Sequence, residues 1–213
     1  MEIKNITIFG GSSNTGKVLI QHAIERGVKV KALVRYPASL ENYLEKAEIV
    51  EGSILNSDDV DKSVKNSHAV ICLFGQRPPY KDIFCEEATK IIIASMKKNI
   101  IERLVCQTGG MIGNYPENRT VFFRKMTSIF NERLLSVAMD RALQEKQIFN
   151  SGLNWTIVKP PRLDNKKAKR KIVAGPDIRL GSLSSITLDD LAEFLLDVTI
   201  SDKFINNHVF VRN

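Results

Sequence analysis

Short runs of β-branched and apolar residues alternate along the whole chain with stretches whose apolar positions recur every three or four residues. The runs at Asn5 to Phe9, Lys29 to Val34, Glu48 to Glu51, His68 to Phe74, Arg103 to Gln107 and Trp155 to Lys159 predict strands. Alternating with helix-period segments from end to end, they have the sequence form of a βαβ series, which predicts a parallel sheet with helices on both sides. Helices are predicted at Gly16 to Glu25, ended by Gly27, at Ser57 to Val64, and at Cys85 to Lys98 with Ala88, Ile91, Ile92 and Ala94 facing inward.

From Thr120 to Phe149 the period stays helical through Phe122, Met126, Phe130, Leu134, Val137 and Ala142, which predicts two helices or one bent one with a core-packing stripe. That length exceeds what a simple crossover needs, so part of it could also cover a site or meet a second subunit. After Pro160-Pro161 the pattern gives an extended stretch around Lys171 to Ala174, a helix from Leu188 to Val198 behind Thr187, and a last strand at His208 to Arg212. No linker or repeat divides the chain, so residues 1 to 213 read as one α/β domain, doubly wound, whose part from about 108 onward completes the substrate side.

Composition adds constraints. The 213 residues are 43% hydrophobic and 26% charged, a globular balance that needs no metal or disulfide staple. Cys72, Cys85 and Cys106 form no Cys-x-x-Cys, which suits a reducing, cytoplasmic compartment, and no apolar run is long enough to span a membrane. The net charge is +7, but its one dense run, Lys166, Lys167, Lys169, Arg170 and Lys171, reads as a solvated loop, and no nucleic-acid partner is expected. His22, His68 and His208 are not at metal-ligand spacing, so no metal site is expected.

The sharpest chemistry lies in FGGSSNTGKV, residues 9 to 18, between the first strand and the first helix. Glycine there lets the backbone turn tightly against a diphosphate, and the helix N-terminus attracts the anion. Gly11 to Lys17 also reads as G-x-x-x-x-G-K, the loop of nucleoside triphosphatases. Its next residue is Val18, however, where that loop needs a hydroxyl to hold magnesium. The second strand favours a dinucleotide, because residues 28 to 40 contain no acid and Arg35 falls at the strand tip. A guanidinium there suits the 2′-phosphate of NADP, so NADPH is expected over NADH.

These motifs, together with ALVR, EGSILNSDDV, HAVICLFGQR, LVCQTGG and SGLNWTIVKPPRL in the same order, resemble the atypical short-chain dehydrogenase/reductase group. Within that group the likeness is to the NmrA-like, NAD(P)H-binding members, above all the biliverdin-IXβ reductases, also called flavin reductases. The resemblance covers nearly the whole chain and implies a Rossmann-like fold. It implies that Gly10, Ser12, Ser13, Asn14, Thr15 and Gly16 meet the pyrophosphate and Arg35 the adenosine phosphate. It implies Ser53 and Ile54 beside the adenine and Leu73, Phe74, Gly75 and Arg77 along the ribose-phosphate stretch. Gln107 and Thr108 would lie beneath the nicotinamide, with Pro160, Pro161, Arg162 and Leu163 flanking it. Three positions depart from the family pattern: Ser13 stands for a glycine, Ser53 for an aspartate, and Arg141 for a histidine near the biliverdin site.

Short-chain dehydrogenases that reduce carbonyls use Tyr-x-x-x-Lys as the proton source. Here only Tyr115 and Arg119 approach that spacing, broken by Pro116, while Tyr36, Tyr43 and Tyr80 have no lysine four residues on. A conjugated ring needs no such acid, so the expected function is an NADPH-dependent reductase of flavin-like, quinone-like or tetrapyrrole acceptors. Thr108 and Lys146 are the candidate catalytic residues, Thr108 orienting the nicotinamide amide or the acceptor through its hydroxyl and Lys146 reaching the ribose hydroxyls. Arg141 is read as a surface residue. The competing reading is a non-catalytic, redox-sensing regulator that binds the dinucleotide. The implied partner is a small aromatic acceptor, and the chain is expected to be a monomer or a homodimer.

Overall fold

A computed structural model describes residues 2–201 and 203–213. The chain runs β1 (Asn5–Phe9), α1 (Asn14–Glu25), β2 (Lys29–Val34), β3 (Glu48–Glu51), α2 (Ser57–Val64), β4 (Ala69–Cys72), α3 (Cys85–Lys98) and β5 (Arg103–Gln107). It continues with α4 (Val121–Arg133), α5 (Leu135–Phe149), β6 (Asn154–Lys159), β7 (Arg162–Asp164), β8 (Val173–Gly175), β9 (Ser185–Thr187), α6 (Leu188–Ile200) and β10 (Asn207–Arg212). Eight strands form one sheet in the order β3-β2-β1-β4-β5-β6-β10-β8, parallel except for β8, which runs antiparallel to β10.

Because side chains alternate across a strand, each strand feeds two cores. Ile6 and Ile8 of β1 join Leu19 and Ile20 of α1 and Leu191 and Leu195 of α6 on one face. Phe9 joins Val60 of α2, Ile92 and Met96 of α3 and Leu104 of β5 on the other. Each such fully buried side chain contributes about 1.5–3 kcal/mol of transfer free energy. The architecture is Rossmann-like, with helices on both faces as the pattern predicts. Strand order reverses between β1 and β4, and it is outside the carboxyl ends of strands at such a reversal that open α/β sheets bind ligands.

Several details depart from the sequence reading. α1 begins two residues earlier than predicted because Ser13 caps it, its hydroxyl accepting from Gly16 N at 3.0 Å. Residues 120 to 149 form two helices, broken at Leu134. The aromatic stripe on α4 is off by one position: Phe122 is 63% exposed, whereas Phe123, at 3%, packs with Leu180 and Phe210. A tilt of one residue, about 100° on a helix, turns one phenylalanine out and the next in. The two-stranded sheet of β7 and β9 was not predicted, since three-residue strands carry too short a pattern to read.

Candidate functional site

The carboxyl ends of β3, β2, β1, β4, β5 and β6 stand side by side. Along that edge the structure lines up Ser53 and Ile54, Arg35, residues 10 to 16, residues 73 to 77, Gln107 and Thr108, and residues 160 to 163. All the residues singled out for a dinucleotide except Lys146 therefore lie on one rim.

The turn after β1 is built by sterics. Gly10 has φ +87°, and a Cβ there would lie 2.8 Å from Leu73 C and Phe74 N, so only glycine lets β1 turn this close to the chain leaving β4. At Gly16 a Cβ would strike the carbonyls of Gly10 and Gly11, so α1 packs backbone to backbone on the turn. Ser13 N donates to Gly10 O at 3.0 Å, closing the loop. The amides of Asn14 and Thr15 have no partner among the described residues, and no acid lies in the first turn of α1. Two free N–H groups at a positive helix end suit an anion. Ser13, which replaces a glycine, spends its oxygen on the cap and keeps its O–H to donate.

Arg35 follows β2, is exposed, and forms no ion pair among the described residues. On the neighbouring strand end Asp59 of α2 accepts from Ser53 N at 2.9 Å, and the Ser53 hydroxyl accepts from Leu55 N at 3.2 Å. Leu73 and Phe74 are buried, with Leu73 C and Phe74 N close against the Gly10 turn.

The β4 and β5 ends are tied together by α5. Arg141, read from the sequence as a surface residue, is only 7% exposed. It donates to Phe74 O at 2.8 Å and to Gln107 O at 3.0 Å, because a guanidinium entering a buried layer must find acceptors. Beside it Asp140 accepts from the Cys85 and Glu86 amides at 2.8 and 2.9 Å and from Gln76, capping α3. Lys146 stands exposed on α5, outside this layer.

Its neighbour Glu145 points inward instead. Lys159, the last residue of β6, is 0% exposed and pairs with Glu145, which is 5% exposed. The Thr108 hydroxyl donates to Glu145 Oε1 at 2.6 Å and the Tyr115 hydroxyl to Oε2 at 3.2 Å. Lys159 Nζ also lies 3.3 Å from Thr108 Oγ1 and 4.6 Å from the centre of the Tyr115 ring. Burial pushes Glu145 up, but Lys159, Thr108 and His208 outweigh it and hold the carboxyl below the ordinary range. Burial drives Lys159 down to about 8 against the pull of Glu145, with Arg119 and Arg141 adding repulsion. At pH 7 the pair is ionised. Burial and the Glu145 charge raise the Tyr115 hydroxyl well above a tyrosine's usual value.

The sequence reading missed Glu145 and Lys159. A detectable signal was there: Lys159 closes the largely apolar strand run Trp155-Thr156-Ile157-Val158, and a cation buried in such a run needs a counterion. Beyond this network, a cleft of about 510 Å³ opens between residues 113 to 119, α4 and α5, walled by Arg119, Arg124, Asn131, Leu135 and Met139. Gln107 Oε1 at the β5 end is buried with no partner among the described residues. The described residues contain no group of histidines, cysteines and acids able to hold a metal, and no helix among them is long and apolar enough to cross a membrane.

Comparison with known proteins identifies the family and the fold. A family described as NAD(P)H-binding matches residues 10–202. An uncharacterised chloroplastic protein of Arabidopsis thaliana is 26% identical over 219 residues, covering 95% of this chain and 74% of that protein. A short-chain dehydrogenase/reductase of Veillonella parvula, solved in complex with NADP, shares the fold with a TM-score of 0.80 at 17% identity, covering 99% of this chain and 95% of the other. ChuY, an anaerobillin reductase from Escherichia coli O157:H7, does so with a TM-score of 0.79 at 14% identity, covering 97% and 96%.

Proposed function

We propose that this chain, which belongs to the NAD(P)H-binding family, is an NADPH-dependent reductase of flat conjugated acceptors such as flavins, quinones or linear tetrapyrroles. The observation that carries the reading is the glycine turn at the sheet's reversal point, with two unpaired amides and an exposed, unpaired guanidinium one strand away. The residues fit the cofactor. The cradle at Gly10 leaves no room for a side chain, and Asn14, Thr15 and the Ser13 hydroxyl offer donors to a diphosphate. Arg35 meets the 2′-phosphate; Ser53 and Ile54 border the adenine; Pro160, Pro161, Arg162 and Leu163 close the far side.

NADPH supplies the hydride when bound. The chain's own work is to hold two rings together and keep water from between them. Its tyrosine is a poor acid, since the Tyr115 hydroxyl is committed to Glu145 and its proton is held more tightly than usual. Acceptors that store the hydride in a conjugated ring and draw their proton from water suit such a site. The cleft beside residues 113 to 119 gives one room, with Arg119 and Arg124 on its wall. The NADP in the Veillonella complex and the reductase activity named for ChuY point to the same class.

The test is steady-state oxidation of NADPH with FMN, FAD, menadione and biliverdin. Turnover with at least one supports the reading. Tight NADPH binding with no turnover on any of them replaces it with a dinucleotide-sensing regulator.

A further inference from the structure

The Glu145–Lys159 pair does more than fill a core position. A carboxylate only accepts hydrogen bonds and an ammonium only donates them. With Lys159 fixed on Glu145, both carboxylate oxygens are turned to the two hydroxyls beside the β5 end. Thr108 gives its proton to Oε1 and Tyr115 gives its proton to Oε2. Lys159 Nζ, 3.3 Å away, takes one lone pair of the Thr108 oxygen. What remains on Thr108, which directly follows β5 and is 8% exposed, is a single lone pair. Thr108 can therefore bind only a donor from outside.

A hydroxyl free to rotate would serve a donor or an acceptor equally well. This one cannot, because turning its proton outward would break a bond to a buried carboxylate. A hydrogen bond to a buried charge is among the more costly ones to give up. Of the groups that face Lys159, Glu145 holds it protonated at neutral pH against burial and the repulsion of Arg119 and Arg141. Glu145 comes from α5, Thr108 from the β5 end, Tyr115 and Arg119 from the following loop, Arg141 from α5, and His208 from β10.

We propose that Glu145 and Lys159 are positioning residues that lock Thr108 as a hydrogen-bond acceptor for the carboxamide N–H of the nicotinamide. The site thereby selects pyridine nucleotides that carry a primary amide. This rests on the NADP(H) reading. It goes beyond that reading by assigning a task to two residues that touch no ligand themselves, and by naming the chemical group they select.

An analogue cycle tests it by calorimetry, independent of turnover. The probes are NADP⁺ and its 3-acetylpyridine analogue, in which an acetyl group replaces the carboxamide and no N–H remains. The unaltered protein should bind NADP⁺ about tenfold more tightly, the worth of one hydrogen bond of about 1.4 kcal/mol. Thr108→Val should erase that preference by weakening NADP⁺ alone, and Thr108→Ser should retain it. The paired variant Glu145→Gln with Lys159→Met, which removes both charges at similar volume, should shrink the preference although Thr108 is intact, and Tyr115→Phe should leave it unchanged. A paired variant that folds, as judged by circular dichroism, and keeps the full preference overturns the inference, as does a Thr108→Val protein that weakens for both probes equally. If the unaltered protein binds neither probe, the NADP(H) reading falls and this inference with it. If it binds both alike, only the inference falls.

Discussion

Replacing Lys159 by Met removes a fully buried ammonium and deprives the charge of Glu145, 5% exposed, of its ion-pair partner. Methionine matches the lysine stem, so the packing of β6 against Tyr115 and Phe210 is largely kept and the loss is electrostatic. The two hydroxyls still donate to Glu145, but neutral donors do not repay the transfer of a carboxylate from water. Breaking a buried pair by removing one partner costs about 3–5 kcal/mol. For a chain of this length each kcal/mol lowers Tm by about 2–4 °C, so a fall of roughly 6–20 °C is expected. Adding Glu145→Gln removes the stranded charge and should restore most of the loss. The control is the exposed pair of Lys4 and Glu2, where Lys4→Met should change stability by less than about 1 kcal/mol. Urea denaturation with an unchanged m-value, together with thermal melting, reads all four proteins. A Lys159→Met cost under about 1 kcal/mol, or a paired variant no more stable than the single one, would refute the claim that this charge is held by its partner.

Gly10→Ala should abolish dinucleotide binding while the chain still folds, because its φ of +87° and the 2.8 Å approach to Leu73 and Phe74 force the loop apart. Gly27→Ala also has a positive φ but meets open space, so denaturation should show only about 1–2 kcal/mol of strain and calorimetry no loss of binding. Asp190 is buried and accepts from the Lys169 and Arg170 amides, Thr187 and Asn213. Burial raises its carboxyl, but these donors outweigh burial and hold it below the ordinary 3.8. Its contribution is therefore complete above the ordinary carboxylate value and is lost as pH falls through the depressed one. Asp190→Asn should cost about 1.5–3 kcal/mol at pH 7, flatten the acid limb of the stability curve, and speed tryptic cleavage between residues 166 and 171. The preference for NADP⁺ over the acetyl analogue should hold at pH 7 and fall as Lys159 loses its proton near pH 8. Glu145 titrates below the ordinary carboxylate range, His208 below 6.5 and Tyr115 far above its usual value, so none of them accounts for a change there.

The parallel sheet was legible because short β-rich apolar runs alternate along the chain with segments of helical period. The first turn was legible because Gly10 and Gly16 are forced by backbone contact rather than by side-chain chemistry. What could not be read depends on distant partners. Lys159 ends an apolar run that calls for a counterion, but Glu145, 14 residues away, looks like a surface charge until β6 and α5 are packed together. Arg141 and Lys146 sit on the same helix, and sequence alone gave no reason to bury one and expose the other. Phe122 and Phe123 pose the same ambiguity, settled only when Leu180 and Phe210 arrive from later in the chain.

A phosphorylated dinucleotide seated across the β1 and β2 ends is measured directly by calorimetric titration of the unaltered protein and Arg35→Gln with NADP⁺ and NAD⁺. The unaltered protein should prefer NADP⁺ by about 10- to 100-fold, the worth of a charge-assisted contact to the 2′-phosphate, and Arg35→Gln should lose most of that preference with NAD⁺ binding little changed. No heat with either nucleotide, or an equal preference in both proteins, would contradict it.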